Sequence, residues 1–224
     1  MVWWYPQPME LEQSIIYILD LLGTFIFAIT GAVKGVRLKL DILGVVVFAC
    51  TVGCGGGMLR DAAIGATPVA AFSNSAYILI CVGTGLTVFF LAPKVVGRWR
   101  VILFADSLGL GVFTALGVAK GAMFGIGPVG QLLCGVFSAV GGGVVRDVMS
   151  RSIPTVLTSD FYATASLIGG ILYLALELTE IGLLSKCIIV SSVVFLIRLV
   201  AIKYNVHLPV AHTALPVDDQ PPLH

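Results

Sequence analysis

The chain has 224 residues, 58% of them hydrophobic and 11% charged, with a formal net charge of +1 and a mean hydropathy of +1.04. That balance is far too apolar for a soluble domain of this length. It points to an all-α integral membrane protein, with no nucleic-acid partner expected.

Residues 1–13, "MVWWYPQPMELEQ", carry no Lys or Arg and no apolar stretch before a cleavage site, so they do not read as a signal peptide. Trp3, Trp4 and Tyr5 fit an interfacial aromatic belt on an extracytoplasmic segment. Seven apolar runs follow, at 14–34, 42–62, 74–92, 101–120, 128–147, 160–178 and 183–203. Each is close to the roughly 20 residues that cross a bilayer core at about 1.5 Å per residue. Residues 93–100 form a linker between the third and fourth spans, and 205–224 read as a flexible cytoplasmic tail containing His207, His212 and His224. Cys50, Cys54, Cys81, Cys134 and Cys187 all lie inside predicted spans and are odd in number, which argues against a disulfide framework. Cys50 and Cys54 stand one helical turn apart, but no His or carboxylate completes a metal-binding set there.

Charge is distributed asymmetrically along this pattern. With the amino terminus outside, ten of the thirteen basic residues fall on one side, and only Arg60, Lys120 and Lys186 on the other. The positive-inside rule then sets the carboxyl terminus in the cytoplasm of a multi-pass cell (inner) membrane protein.

Two stretches break the apolar runs in the same way: "CGGGMLRD", Cys54 to Asp61, and "VGGGVVRD", Val140 to Asp147, at an offset of 86 residues. The same offset pairs Asp20 with Asp106, Gly23 with Gly109, Phe27 with Phe113, Gly31 with Gly117, Lys34 with Lys120 and Pro68 with Pro154. Matches this specific over three spans indicate an internal duplication. Three spans per copy is an odd number, so the second copy enters the membrane from the opposite side. The expected architecture is an inverted repeat of two three-helix bundles, residues 14–92 and 101–178, followed by a seventh span within 179–204.

Gly55, Gly56 and Gly57 on span 2, and Gly141, Gly142 and Gly143 on span 5, weaken their helices by about 1 kcal/mol each relative to alanine. Kinks are expected at both triplets. Small residues also let membrane helices approach closely. The alternative use is to line a pathway, because backbone carbonyls freed inside a bilayer need protein or water to satisfy them and suit a partly dehydrated cation. Arg60-Asp61 and Arg146-Asp147 follow the triplets, and Asp20 and Asp106 should share their depths. Two buried ion pairs, Asp20 with Arg60 and Asp106 with Arg146, would keep these charges paired. The same groups also fit pore-mouth charges or gate elements. Lys34 and Lys120 end spans 1 and 4; snorkelling to the interface accounts for both, while a lysine reaching the path would confer voltage sensitivity, with Lys120 the better placed. Thr30, Thr51 and Ser138 are the candidate hydroxyls within the bundle, although such groups commonly bond their own backbone. No nucleophile–base pair, metal-ligand set or phosphate-binding loop is present in the sequence, which argues against an enzyme.

Seven spans, the three-plus-three inverted duplication and the paired "GGGMLRD" and "GGGVVRD" together resemble the prokaryotic branch of the trimeric intracellular cation channel (TRIC) family, over about residues 14–203. The resemblance implies a homotrimer with one monovalent-cation pore, chiefly for potassium, between the two bundles of each protomer. It also implies that the pore is lined around kinks at Gly55–Gly57 and Gly141–Gly143. No cofactor is implied beyond permeant potassium or sodium and bound membrane lipid. Animal members carry a phosphoinositide-binding lysine beside the span 5 glycines, where this chain has Ala139 and Val140. The same bacterial group is also labelled with a glycine-transporter domain, so a secondary transporter for glycine or another small solute stands as the second reading, a structural trimer as the third.

Overall fold

The computed structural model describes residues 11–92, 99–158, 161–204 and 206, and every regular element among them is helical. In chain order these are α1 (Leu11–Arg37), α2 (Ile42–Ala63), α3 (Ala70–Ser73), α4 (Ser75–Phe90), α5 (Trp99–Met123), α6 (Pro128–Met149), α7 (Thr155–Thr158), α8 (Tyr162–Glu177) and α9 (Leu183–Tyr204). Each of the seven apolar runs holds one helix, its ends within a few residues of the expected ones. The interfacial aromatics Trp3, Trp4 and Tyr5, most of the 93–100 linker and the tail histidines lie outside the described residues.

Among the described residues, five helices, α1, α2, α5, α6 and α9, are long and apolar enough to cross a bilayer. In the third unit of each repeat a four-residue helix, α3 or α7, lies ahead of the expected run, and the run itself holds a 16-residue helix, α4 or α8. At about 1.5 Å per residue those 16 residues cover about 24 Å, short of a full hydrocarbon core of about 30 Å.

Local chemistry sets the helix starts. Asp41 accepts the Gly44 N–H at 2.7 Å and Asn74 that of Ala76 at 2.9 Å, capping α2 and α4. Pro128 opens α6, where its missing N–H costs no hydrogen bond.

The duplication extends to backbone geometry that residue identity conceals. Left-handed residues occur at Lys39 (φ 57°) and Gly125 (φ 67°), and again at Gly65 (φ 72°) and Arg151 (φ 53°). Both couples stand at the offset that relates the glycine triplets. The turn is therefore repeated even where a lysine or arginine occupies a conformation that favours glycine.

Packing obeys the same symmetry. The rings of Phe27 and Phe113 stack with centroids 5.4 Å apart and planes within 11°. A Cβ on Gly23 would meet Phe113 at 3.0 Å, and one on Gly109 would meet Phe27 at 3.2 Å. A Cβ on Gly31 would meet the Phe48 carbonyl oxygen at 2.5 Å, and one on Gly117 the Cys134 carbonyl oxygen at 2.5 Å, so both α1–α2 and α5–α6 pack backbone on backbone.

The two repeats meet where α2 crosses α6. A Cβ on Gly56 would collide with the Ser138 carbonyl oxygen, and one on Gly142 would meet the Val52 carbonyl oxygen at 2.7 Å. As one chain advances the other recedes, so the helices are antiparallel and their carboxyl-terminal ends point to opposite ends of the bundle. Both helices run unbroken through their triplets. The anticipated break is therefore not a loss of helix, and the middle glycines are spent on helix contact.

The seventh helix departs from the symmetry. It packs on α5 and α8, and a Cβ on Gly111 would lie 2.5 Å from the Ser191 carbonyl oxygen of α9. The counterpart of Gly111 in the first repeat is Phe25, which is half exposed. The middle of α9 therefore braces the second repeat.

Candidate functional site

Each Arg-Asp pair ends one of the crossing helices, and a buried polar cluster forms around it. In the first cluster Arg60 is fully buried, at 0% exposure. Its Nη2 donates to Asp20 Oδ2 at 2.9 Å, its Nη1 to Asp20 Oδ1 at 3.3 Å, and its Nε to Asp61 Oδ1 at 2.9 Å. The Tyr77 hydroxyl donates to Asp20 Oδ2 at 3.2 Å. Asp61 Oδ2 accepts the N–H of Ala70, the first residue of α3, at 3.1 Å. The remaining contact comes from the other repeat: Lys120 Nζ donates to Asp61 Oδ1 at 2.7 Å. Two acids and two bases leave this cluster formally neutral, the condition under which buried charges are tolerated. It encloses only about 10 Å³.

The second cluster sits at the opposite end. Arg146 Nη1 donates to Asp106 Oδ1, and Arg146 Nε to Asp147 Oδ1 at 2.9 Å. Asp147 Oδ2 accepts both the N–H and the hydroxyl of Thr155, the first residue of α7, each at 2.7 Å. Here the cavity is about 190 Å³, and Lys34 and Arg198 join its lining. The Arg198 guanidinium carbon lies 4.7 Å from the centroid of the Tyr162 ring. Among the described residues, two acids and three bases line this end.

Pairing Asp20 with Arg60 and Asp106 with Arg146 thus places four of the expected charges together, two at each end. The triplets contribute through their third members. A Cβ on Gly57 would stand 3.7 Å from Arg60 Nη2 and 3.8 Å from Asp20 Oδ1, and one on Gly143 would press on the Tyr162 hydroxyl at 2.8 Å. The candidate hydroxyls divide. Thr30 donates to the Phe27 carbonyl oxygen at 2.9 Å, and Thr51 to that of Val47 at 2.8 Å, each satisfied by its own helix. Ser138 Oγ is buried at the α2–α6 crossing and has no hydrogen-bond partner among the described residues. Among those residues no group of three or more His, Cys, Asp or Glu is arranged to hold a metal ion.

Sequence reasoning confined each ion pair to one repeat and so missed the cross-repeat contact of Lys120 with Asp61. It also missed Tyr77 and Tyr162, which stand one residue out of register between the repeats and give no matching signal. Arg198, near the end of span 7, gives no signal in the sequence beyond that of a basic residue at a span end.

Comparison with known proteins is consistent with this geometry. The family model described as glycine transporter matches twice, at residues 17–93 and 103–177, once on each repeat. A UPF0126 membrane protein of Vibrio cholerae is 37% identical over 202 residues, covering 89% of this chain and 84% of that protein. The UPF0126 inner membrane protein YadS of Escherichia coli (strain K12) is 34% identical over 198 residues, covering 87% of this chain and 95% of its own length. Among solved structures, the TRIC trimeric intracellular cation channel orthologue from Rhodobacter sphaeroides superposes with a TM-score of 0.82 at 32% identity, covering 86% of this chain and all of that one. A prokaryotic TRIC channel solved in 0.5 M KCl gives a TM-score of 0.81 at 31% identity, covering 87% of this chain and 99% of that one.

Proposed function

Because the chain belongs to the prokaryotic branch of the trimeric intracellular cation channel family, we propose that it is a cation channel of the inner membrane. It passes monovalent cations, chiefly potassium, through one pore inside each protomer of a homotrimer. The observation that carries this reading is the pair of buried charged clusters at opposite ends of the antiparallel α2–α6 crossing, in a fold similar to channels of solved structure.

In this reading the pore runs between the two repeats, beside Gly57 and Gly143. A cation entering from either end meets a carboxylate already neutralised by an arginine. Such a site attracts a monovalent ion weakly and does not trap a divalent one, which would require unpaired carboxylates. Lys120 on Asp61 closes one end and acts as the gate charge. The chain crosses the membrane seven times, α3 and α7 extending the short α4 and α8, with the amino terminus outside and the carboxyl terminus in the cytoplasm.

Purified trimer in planar bilayers tests the reading. In a potassium gradient, discrete currents should reverse near the potassium equilibrium potential. Saturable uptake of glycine or another small solute with no unitary current would replace the channel with a transporter.

A further inference from the structure

The offset that relates the repeats carries Lys120 onto Lys34 and Asp61 onto Asp147. The contact of Lys120 with Asp61 therefore has an exact symmetry mate, Lys34 with Asp147, and the structure holds the two differently. At the first end Asp61 Oδ1 accepts from both Arg60 Nε and Lys120 Nζ, and the enclosed space is about 10 Å³. At the second end Asp147 Oδ1 accepts from Arg146 Nε, while its Oδ2 is taken by Thr155. Among the described residues, none fills on Asp147 Oδ1 the position that Lys120 fills on Asp61 Oδ1. Lys34 and Asp147 line the same cavity of about 190 Å³, and the Lys34 side chain has no hydrogen bond or ion pair among the described residues.

We propose that Lys34 and Asp147 are a second latch, equivalent by the inverted repeat to Lys120 and Asp61, and that this structure shows one latch shut and the other open. The inference rests on the channel reading and adds a gate at the opposite mouth. An ammonium moving onto Asp147 Oδ1 would fill the open cavity as Lys120 fills the closed one. The acceptor is already oriented by Arg146 and by the first residue of α7, so closure brings the Lys34 ammonium across the shared cavity to a fixed carboxylate. Because the latches join opposite repeats at opposite ends, each ties the carboxyl-terminal end of one repeat's first helix to the second helix of the other. Arg198 enters only the second mouth, so the mouths are chemically distinct even though the latches are equivalent.

The test uses the full-length trimer in planar bilayers under potassium chloride, with the five native cysteines replaced by alanine. The double variant Lys34→Cys/Asp147→Cys should lose about fivefold or more of its open probability on adding micromolar cadmium ion, recovering with chelator, while each single variant does not respond. Currents unaffected by cadmium in the double variant overturn the second latch. If Asp147→Cys does not assemble as a trimer on size exclusion, Lys34→Gln and Lys34→Arg decide. Lys34→Gln should raise open probability about fivefold or more, at the voltage sign opposite to that at which Lys120→Gln acts, and Lys34→Arg should stay near the parent. Open probability equal in Lys34→Gln and the parent refutes the proposal. A parent protein that passes no current at all refutes the channel reading instead.

Discussion

Alanine placed in turn at Gly55, Gly56 and Gly57 should give three different outcomes, although the residues are consecutive and identical. In each case the new methyl raises helix propensity by about 1 kcal/mol. At Gly55 the added Cβ would stand 3.4 Å from a Val145 methyl and 3.7 Å from the Gly142 Cα, ordinary contact, so the propensity gain should survive. At Gly56 the Cβ would collide with the Ser138 carbonyl oxygen, and backbone cannot swing aside as a side chain can. Overpacking of that kind costs about 1–3 kcal/mol, which cancels the propensity gain and leaves a net loss of up to about 2 kcal/mol. At Gly57 the nearest atoms, Arg60 Nη2 and Asp20 Oδ1, would be 3.7 and 3.8 Å away, so stability should hold or rise while the space beside the first cluster narrows. Thermal unfolding of the detergent-solubilised trimer reads these effects. At about 2–4 °C per kcal/mol for a chain of this size, Gly56→Ala should melt several degrees below the parent, and Gly55→Ala should not. Equal shifts for the two would refute backbone contact at the crossing as the use of the middle glycine.

Asp20→Asn should leave the fully buried Arg60 guanidinium with Asp61, a carboxylate already shared with Lys120, and cost about 3–5 kcal/mol, seen as loss of trimer on size exclusion. Asp106→Asn should act in the same direction on Arg146, and less severely, because that end is open to a larger cavity. A double-mutant cycle on Phe27→Ala and Phe113→Ala should give a coupling of about 1 kcal/mol in unfolding free energy, since the two rings stack on each other across the repeats. Lys39→Gly and Arg151→Gly should each raise the melting temperature, by relieving about 1 kcal/mol of left-handed strain. A fall in both would mean that the turns are held by their side chains.

The repeat and its helices were legible because membrane spans are long, uniform signals and because one offset aligns glycines and charges together. The ion pairs within each repeat followed from depth alone, since Asp20 and Arg60, or Asp106 and Arg146, lie at matching distances from the helix ends. What stayed hidden depends on how helices face one another. Gly56 and Gly57 are indistinguishable as letters, yet one meets a carbonyl and the other a guanidinium, because consecutive residues on a helix point about 100° apart. Lys120 read as a span-end lysine because its acceptor, Asp61, belongs to the other repeat. Tyr77 and Tyr162 escaped because a one-residue slip between α4 and α8 removes the match on which the duplication argument relied.

The crossing of α2 and α6 also limits how the molecule can deform. Where two helices touch backbone to backbone, with Gly56 under Ser138 and Gly142 under Val52, sliding in either direction drives a carbonyl into a neighbouring side chain. Rocking about the contact stays free. The crossing is then a fulcrum, and the helix ends beyond it are the arms of one lever: widening the space at one arm narrows it at the other. The spaces at the two ends, about 10 and 190 Å³, differ in the sense that such a lever allows.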